Sequence, residues 1–192
     1  PDLDASTREG KLGLTYLAHL LEGDRRQAVR SILDAADQDM EMRTIYTRVL
    51  VPVLVEIGRM WHLGEASVAE EHFATDTTKA VMAIIASRCD ASKPNGKCAI
   101  VCAAPGNTPD IAVRVAADYF EMDGWRSICL GADIPIPDLV RACVDFHADV
   151  VAISAMMPAQ LRTAREAIDA ISKEHKRRPK ILVGGRAFAG SP

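Results

Sequence analysis

The chain has 192 residues, enough for one large or two small domains that each bury a core. Hydrophobic residues make up 48% and charged residues 26%, and a net charge of −3 with both signs interspersed leaves no basic stripe for direct nucleic-acid binding. There is no apolar run near the ~18 residues of a membrane span and no signal-like stretch, so the expectation is a cytoplasmic protein without membrane association.

The first ~90 residues read as helical from periodicity. Leu12, Tyr16, Leu17, Leu20 and Leu21 form one apolar stripe. Asp24 is placed to N-cap a second helix that carries Ala28, Val29, Ile32, Leu33 and Ala36. A third helical stretch begins near Thr44 and meets Pro52, which must either kink it or restart it in a first turn. It runs through Val55, Ile57 and Met60 and stops near Gly64. Ser67 and Glu70 then have the S-x-x-E spacing of a capping box, which opens a fourth helix to about Cys89. Short connections favour a four-helix bundle over residues 1–92. This assignment puts Trp61 and His62 at the end of one helix and Glu71 and His72 in the first turns of the next, facing one junction.

KPNG (93–96) breaks the pattern, and residues 93–192 then alternate. Apolar strands are expected at 98–104, 125–131, 149–155 and 180–185, with helices at about 109–122, 138–146 and 159–175. That order predicts a parallel, doubly wound sheet with right-handed crossovers, which binds ligands outside the carboxyl ends of its strands. A fifth strand and helix would normally complete such a sheet and are expected to be missing. The strand ends lead into PGNTPD (105–110), GADIPIPD (131–138), SAMMP (154–158) and GGRAF (184–188), all rich in small residues or proline. None matches a dinucleotide or P-loop fingerprint. Cys89, Cys98, Cys102, Cys129 and Cys143 lack CxxC spacing and read as buried free thiols in a reducing compartment, with covalent cofactor attachment as the alternative. His19, His147 and His175 fall on ordinary helices.

The LGADIP stretch (130–135), Ser154, and Gly184 with Gly185 resemble the loops of a flavodoxin-like cobalamin-binding module, and the helical bundle ahead of them extends the resemblance over nearly the whole chain. In the bundle, Trp61-His62, eight residues, then Glu71-His72 is similar to the motif of adenosylcobalamin light sensors of the CarH type and of the related photocobilins. The resemblance implies cobalamin as cofactor, adenosylcobalamin by preference, with biliverdin or another bilin as a second chromophore. It implies that Trp61 packs on the upper axial group, that His62 or His72 reaches cobalt, and that Glu71 and His72 line the adenosyl pocket. Around the corrin it assigns Asn107, Thr108, Pro109, Asp110, Ile111, Gly131, Asp133, Ile134, Pro135, Ser154, Met156, Gly184, Gly185 and Arg186. One departure stands out: the module's DxHxxG motif falls on Asn107, Pro109 and Ala112, so its lower axial histidine is replaced by a proline, which coordinates nothing.

The expected function is therefore light sensing. Photolysis of the upper cobalt–carbon bond and ligand exchange would switch conformation or assembly, in a homo-oligomer that signals through an effector domain or partner outside this chain. A corrinoid carrier for methyl transfer and an interaction domain that has lost cobalamin are the alternatives. The expected protein is not itself an enzyme. Taken singly, the bundle residues also fit plainer roles. His62 alone fits the macrodipole at a helix C-terminus, Trp61 and His72 fit bundle packing, Glu71 fits a helix N-terminus, and His62, Glu71 and His72 offer zinc donors without HExxH spacing.

Overall fold

Four helical rods build the first part of the chain, and side chains decide where each begins and ends. The computed structural model describes residues 3–88, 92–105, 111–174 and 178–189, and it divides into units spanning 1–89 and 90–192. Thr7 caps α1 (Arg8–Leu21) by accepting from the Gly10 amide at 3.0 Å. Asp24 caps α2 (Arg25–Asp37) by accepting from the Gln27 amide, also at 3.0 Å. The third rod is composite: α3 (Met42–Thr44), a π-helical segment (Ile45–Leu50) and α4 (Val51–His62). Pro52 explains it, because proline has no amide hydrogen and its ring crowds the carbonyl four residues back. The turn before it widens, the Val51 amide reaches the Tyr46 carbonyl, and Pro52 sits in the first turn of α4. Proline thus restarts the helix instead of ending it. The fourth rod is α5 (Val68–Arg88).

Tyr16, Leu20, Ile32, Ile45, Tyr46, Val53, Ile57, Val81 and Met82 form the buried interior of this unit. Its two phenols are satisfied on α5. The Thr78 hydroxyl gives its hydrogen to the Ala74 carbonyl at 2.7 Å, so Tyr16, 3.0 Å away, is the donor to Thr78. Tyr46 donates to the Met82 carbonyl at 3.2 Å. Each bond removes the penalty of a buried, unpaired hydroxyl, about 1–3 kcal/mol. Burial pushes the Tyr16 hydroxyl up to about 12, outweighing its bond to Thr78. These two bonds fix α1 and the π segment against α5 at definite heights.

In the second unit β1 (Cys98–Ala103), β2 (Arg126–Gly131), β3 (Val150–Ser154) and β4 (Lys180–Gly184) are parallel in the order β2-β1-β3-β4. One face packs on α6 (Ile111–Met122) through Val101, Ala103, Ala152, Val113 and Ala117. The other packs on α7 (Ile136–Asp145) and α8 (Gln160–Glu174) through Ile100, Ile153, Leu139, Ala164 and Ile171. This is a flavodoxin-like doubly wound sheet. Central β1 is buried along its whole length, while edge strand β4 leaves Leu182 54% and Val183 40% exposed.

Two smaller expectations need correcting. Cys98, Cys102 and Cys143 are buried free thiols, but Cys129 on edge strand β2 is exposed. Burial pushes Cys102 up to about 12 and Cys143 to about 11, so neither offers a thiolate near neutral pH. His147 does not lie on a helix: it follows α7 in the left-handed region at φ 55°. Among the described residues no helix is long and apolar enough to cross a membrane.

Candidate functional site

The carboxyl ends of the strands meet at one edge because the register aligns them. Ala103 pairs with Ser154 and Ser154 with Gly184, while a shift after Val101 brings Gly131 opposite Cys102. Ala155 locks this edge from both sides. Its amide donates to the Gly184 carbonyl at 2.9 Å, and its carbonyl accepts from the Ala187 amide at 3.1 Å. The Ser154 carbonyl accepts from the Ala104 amide at 2.8 Å.

The two glycines of the GG pair serve different ends. Gly185 sits at φ 97°, and a Cβ there would stand 2.3 Å from the Ala155 carbonyl oxygen, so backbone approach alone demands glycine. Gly184 has nothing within 4 Å of a would-be Cβ, and the same holds for Gly131 at φ 73°. These two leave open space at the edge. Between Gly131 and α7, Asp133 adopts φ 58°, a left-handed conformation that non-glycine residues hold only at a cost. Ile134 packs into the α7–α8 core, Pro135 takes the N-cap position of α7, and Arg186 is exposed. Ser154 and Met156 are half-buried at the same edge, and Ile111 starts α6. Asn107, Thr108, Pro109 and Asp110 lie outside the described residues.

In the bundle, the segment from Trp61 to His72 is built as its spacing predicts. The Gly64 amide reaches the Trp61 carbonyl at 3.0 Å and the Glu65 amide the Met60 carbonyl at 2.8 Å, with Gly64 at φ 74°; this Schellman closure ends α4 at His62. Ser67 and Glu70 form the capping box: the Glu70 amide donates to the Ser67 hydroxyl at 3.2 Å, and the Ser67 amide to the Glu70 carboxylate at 2.7 Å. Trp61 is 50% exposed, as are Leu63 at 58% and Val68 at 54%, so this junction presents apolar surface. Glu71 is held twice, accepting from the Thr75 hydroxyl at 2.9 Å and lying 2.8 Å from Nδ1 of His72. A neutral His72 carries its hydrogen on Nδ1, facing the carboxylate, which leaves Nε2 as the lone-pair atom. The sequence pattern marked Glu71 and His72 but not Thr75, whose role rests on a helical i,i+4 contact. Among the described residues no three His, Cys, Asp or Glu side chains converge as a metal cluster, so the zinc alternative finds no donor set there.

A parallel doubly wound sheet with glycines at its carboxyl edge defines an α/β domain of the class whose ligands bind outside the carboxyl ends of the strands. Two B12 binding domain families match, one over residues 97–192 and the other over residues 15–86, and the chain belongs to the B12-binding family. It is 24% identical over 164 residues to dimethylamine corrinoid protein 2 of Methanosarcina mazei, spanning 84% of this chain and 77% of that protein. It is 31% identical over 134 residues to the HTH-type transcriptional repressor CarA of Myxococcus xanthus, covering 70% of this chain but 43% of that protein. The structure of the monomethylamine corrinoid protein of Methanosarcina barkeri superposes with a TM-score of 0.80 at 15% identity, covering 94% of this chain and 86% of that one, which establishes the shared fold.

The edge fits a corrinoid in one respect that can be read directly: among the described residues nothing lies within 4 Å of a Cβ built at Gly131 or Gly184, so the backbone is open to a ligand at these two points. A corrinoid would bring its cobalt already held by the ring, so the chain would need to lend at most a single nitrogen, and neutral imidazole is a ligand for several transition metals.

Two outcomes check this geometry. Gly185→Ala should destabilise the sheet unit by about 2 kcal/mol or more, through strain and the clash with Ala155, whereas Gly184→Ala should leave the denaturation midpoint nearly unchanged; urea titration distinguishes them. The Glu70 carboxyl is held below its usual range, first by the Ser67 amide and then by the Ser67 hydroxyl. A depressed folded-state value stabilises above the unfolded value and stops doing so as pH falls through the folded one. Glu70→Ala should therefore lower the melting temperature at pH 7, and the gap from wild type should begin to narrow below the ordinary glutamate value of about 4.3 and close as pH falls through the lowered folded-state value.

Proposed function

We propose that the chain carries a corrinoid at the carboxyl edge of its sheet and presents it to partner proteins, as a carrier in methyl transfer. One observation bears most of the weight. The dimethylamine corrinoid proteins of Methanosarcina mazei and Methanosarcina acetivorans align over 84–90% of this chain and 77–81% of their own length, so helical unit and sheet unit together make up most of such a protein. This favours methyl carriage over the light sensing that the Trp61-His62 and Glu71-His72 motif implies. A bound corrinoid supplies a cobalt that accepts and releases an alkyl group; the chain supplies position and surroundings. In this proposal Gly131, Asp133, Ile134, Pro135, Ser154, Met156, Gly184, Gly185 and Arg186 form the holding edge, joined by Asn107, Thr108, Pro109, Asp110 and Ile111. Trp61, His62, Glu71 and His72 serve the upper group. Pro109 offers no imidazole, so if this chain were to lend a nitrogen to the cobalt, His62 and His72 would be the candidates.

Light sensing with adenosylcobalamin remains the second reading, and two observations favour it. The Trp61-His62 and Glu71-His72 pairs are present with Glu71 bonded to His72, and CarA is a relative at 31% identity. A bilin as second chromophore, a homo-oligomer, an effector beyond this chain and a cytoplasmic setting belong to this reading as further proposals.

One experiment separates the two. The chain is loaded with hydroxocobalamin, treated with a strong reductant and methyl iodide in the dark, and then offered a thiol acceptor. In parallel, it is loaded with adenosylcobalamin and illuminated while its elution volume is followed. A carrier gives a methylated corrin spectrum that the acceptor reverses, with elution unaffected by light. A sensor shifts elution on illumination, and His62→Ala or His72→Ala alters the illuminated spectrum. Failure to retain any corrinoid would refute both.

A further inference from the structure

The loop after β3 turns back sharply, and one buried side chain is responsible. Gln160, 7% exposed in the first turn of α8, accepts from the Met156 amide at 2.9 Å and the Met157 amide at 3.0 Å through a single oxygen, Oε1. Its own amide donates to the Met157 carbonyl at 2.9 Å. The backbone of this stretch is then nearly accounted for. The Ser154 carbonyl is taken by Ala104, the Ala155 amide and carbonyl by Gly184 and Ala187, the Met156 and Met157 amides by Gln160, and the Pro158 carbonyl by the Leu161 amide. Without the Gln160 carboxamide, the adjacent amides of half-buried Met156 and exposed Met157 would lose their common acceptor, and nothing would tie this turn to α8. Those amides belong to the residues that leave the sheet beside Ser154, next to the space that Gly184 keeps open.

We infer that Gln160 is a positioning residue for corrinoid binding: by tying the Met156–Met157 backbone to α8 it holds Ser154 and Met156 in place at the ligand edge. The inference rests on the corrinoid reading and assigns a role to a residue that touches no ligand itself. An acceptor oxygen of this length and reach is what the position requires. Glutamate keeps it and methionine, of similar shape, does not. Leucine or alanine would also leave a void, so methionine is the cleaner test of the hydrogen bonds.

The test uses the full chain with hydroxocobalamin as probe. Gln160→Met is expected to weaken its affinity about tenfold or more, as two lost hydrogen bonds of ordinary strength would allow, and to accelerate hydrogen exchange at the Met156 and Met157 amides. Gln160→Glu is expected to restore slow exchange at both amides and affinity within about threefold of wild type. Circular dichroism of each variant establishes that it folds, and the exchange and rescue measurements report on the loop independently of global stability. Wild-type binding that Gln160→Met leaves unchanged would overturn this inference alone. Equal losses in both variants would also overturn it, because shape and not the acceptor would then matter. No binding by the wild-type chain would overturn it together with the corrinoid reading.

Discussion

Four strands that run the same way must deliver their four following loops to one edge, and the rest of the sheet unit depends on that constraint. Parallel pairing sets Ala103, Ser154 and Gly184 in one row, and buried β1 and β3 hold the row level. At its centre Ala155 is bonded through both amide and carbonyl, to Gly184 and Ala187. The closeness of these backbones excludes a side chain at Gly185 and leaves Gly184 bare toward open space. Where backbone bonds already tie the ends of β3 and β4, little ordering would be needed for a ligand to bind there, so less of the contact energy would be consumed.

The helical unit solves a different problem, that of presenting polar and aromatic groups at a helix junction without melting its ends. The Schellman closure at Gly64 and the capping box at Ser67 satisfy terminal carbonyls and amides between Met60 and Glu70. Arg59 adds a clamp on the same turn, lying 2.7 Å from Glu56 and 3.2 Å from Glu65, although exposed pairs of this kind contribute little each. Trp61 and His62 therefore leave a firm helix end, and Glu71 and His72 enter a firm helix start. The carboxylate beside Nδ1 of the exposed His72 is itself held by Thr75, an arrangement that favours the neutral tautomer with its lone pair on Nε2.

Much of this was legible in the sequence. Capping signals at Asp24 and at Ser67 with Glu70, the break at KPNG and the four apolar runs located most elements to within two residues, because each rests on local chemistry. Pro52 announced an interruption but not its form, since a widened turn depends on how Tyr46 and its neighbours pack against α5. Gln160 and Thr75 escaped because polar residues near a helix start look like ordinary solvated positions until their partners are known. Cys129 misled because an apolar run does not reveal which strand becomes an edge. The relative weight of carrier and sensor also escaped. Four residues at fixed spacing pointed to the sensor, whereas similarity distributed over both units points to carriers.

The central claim is that the corrinoid is held at the carboxyl edge of the sheet. Low-spin trivalent cobalt is diamagnetic, so amide chemical shifts of the full chain can be followed as hydroxocobalamin is added. Perturbation concentrated at Gly131, Ser154 and Gly184, with Cys98, Arg126 and Lys180 at the opposite ends of the strands unmoved, is the predicted result. Shifts at the opposite ends alone, or none at saturating corrinoid, would contradict it.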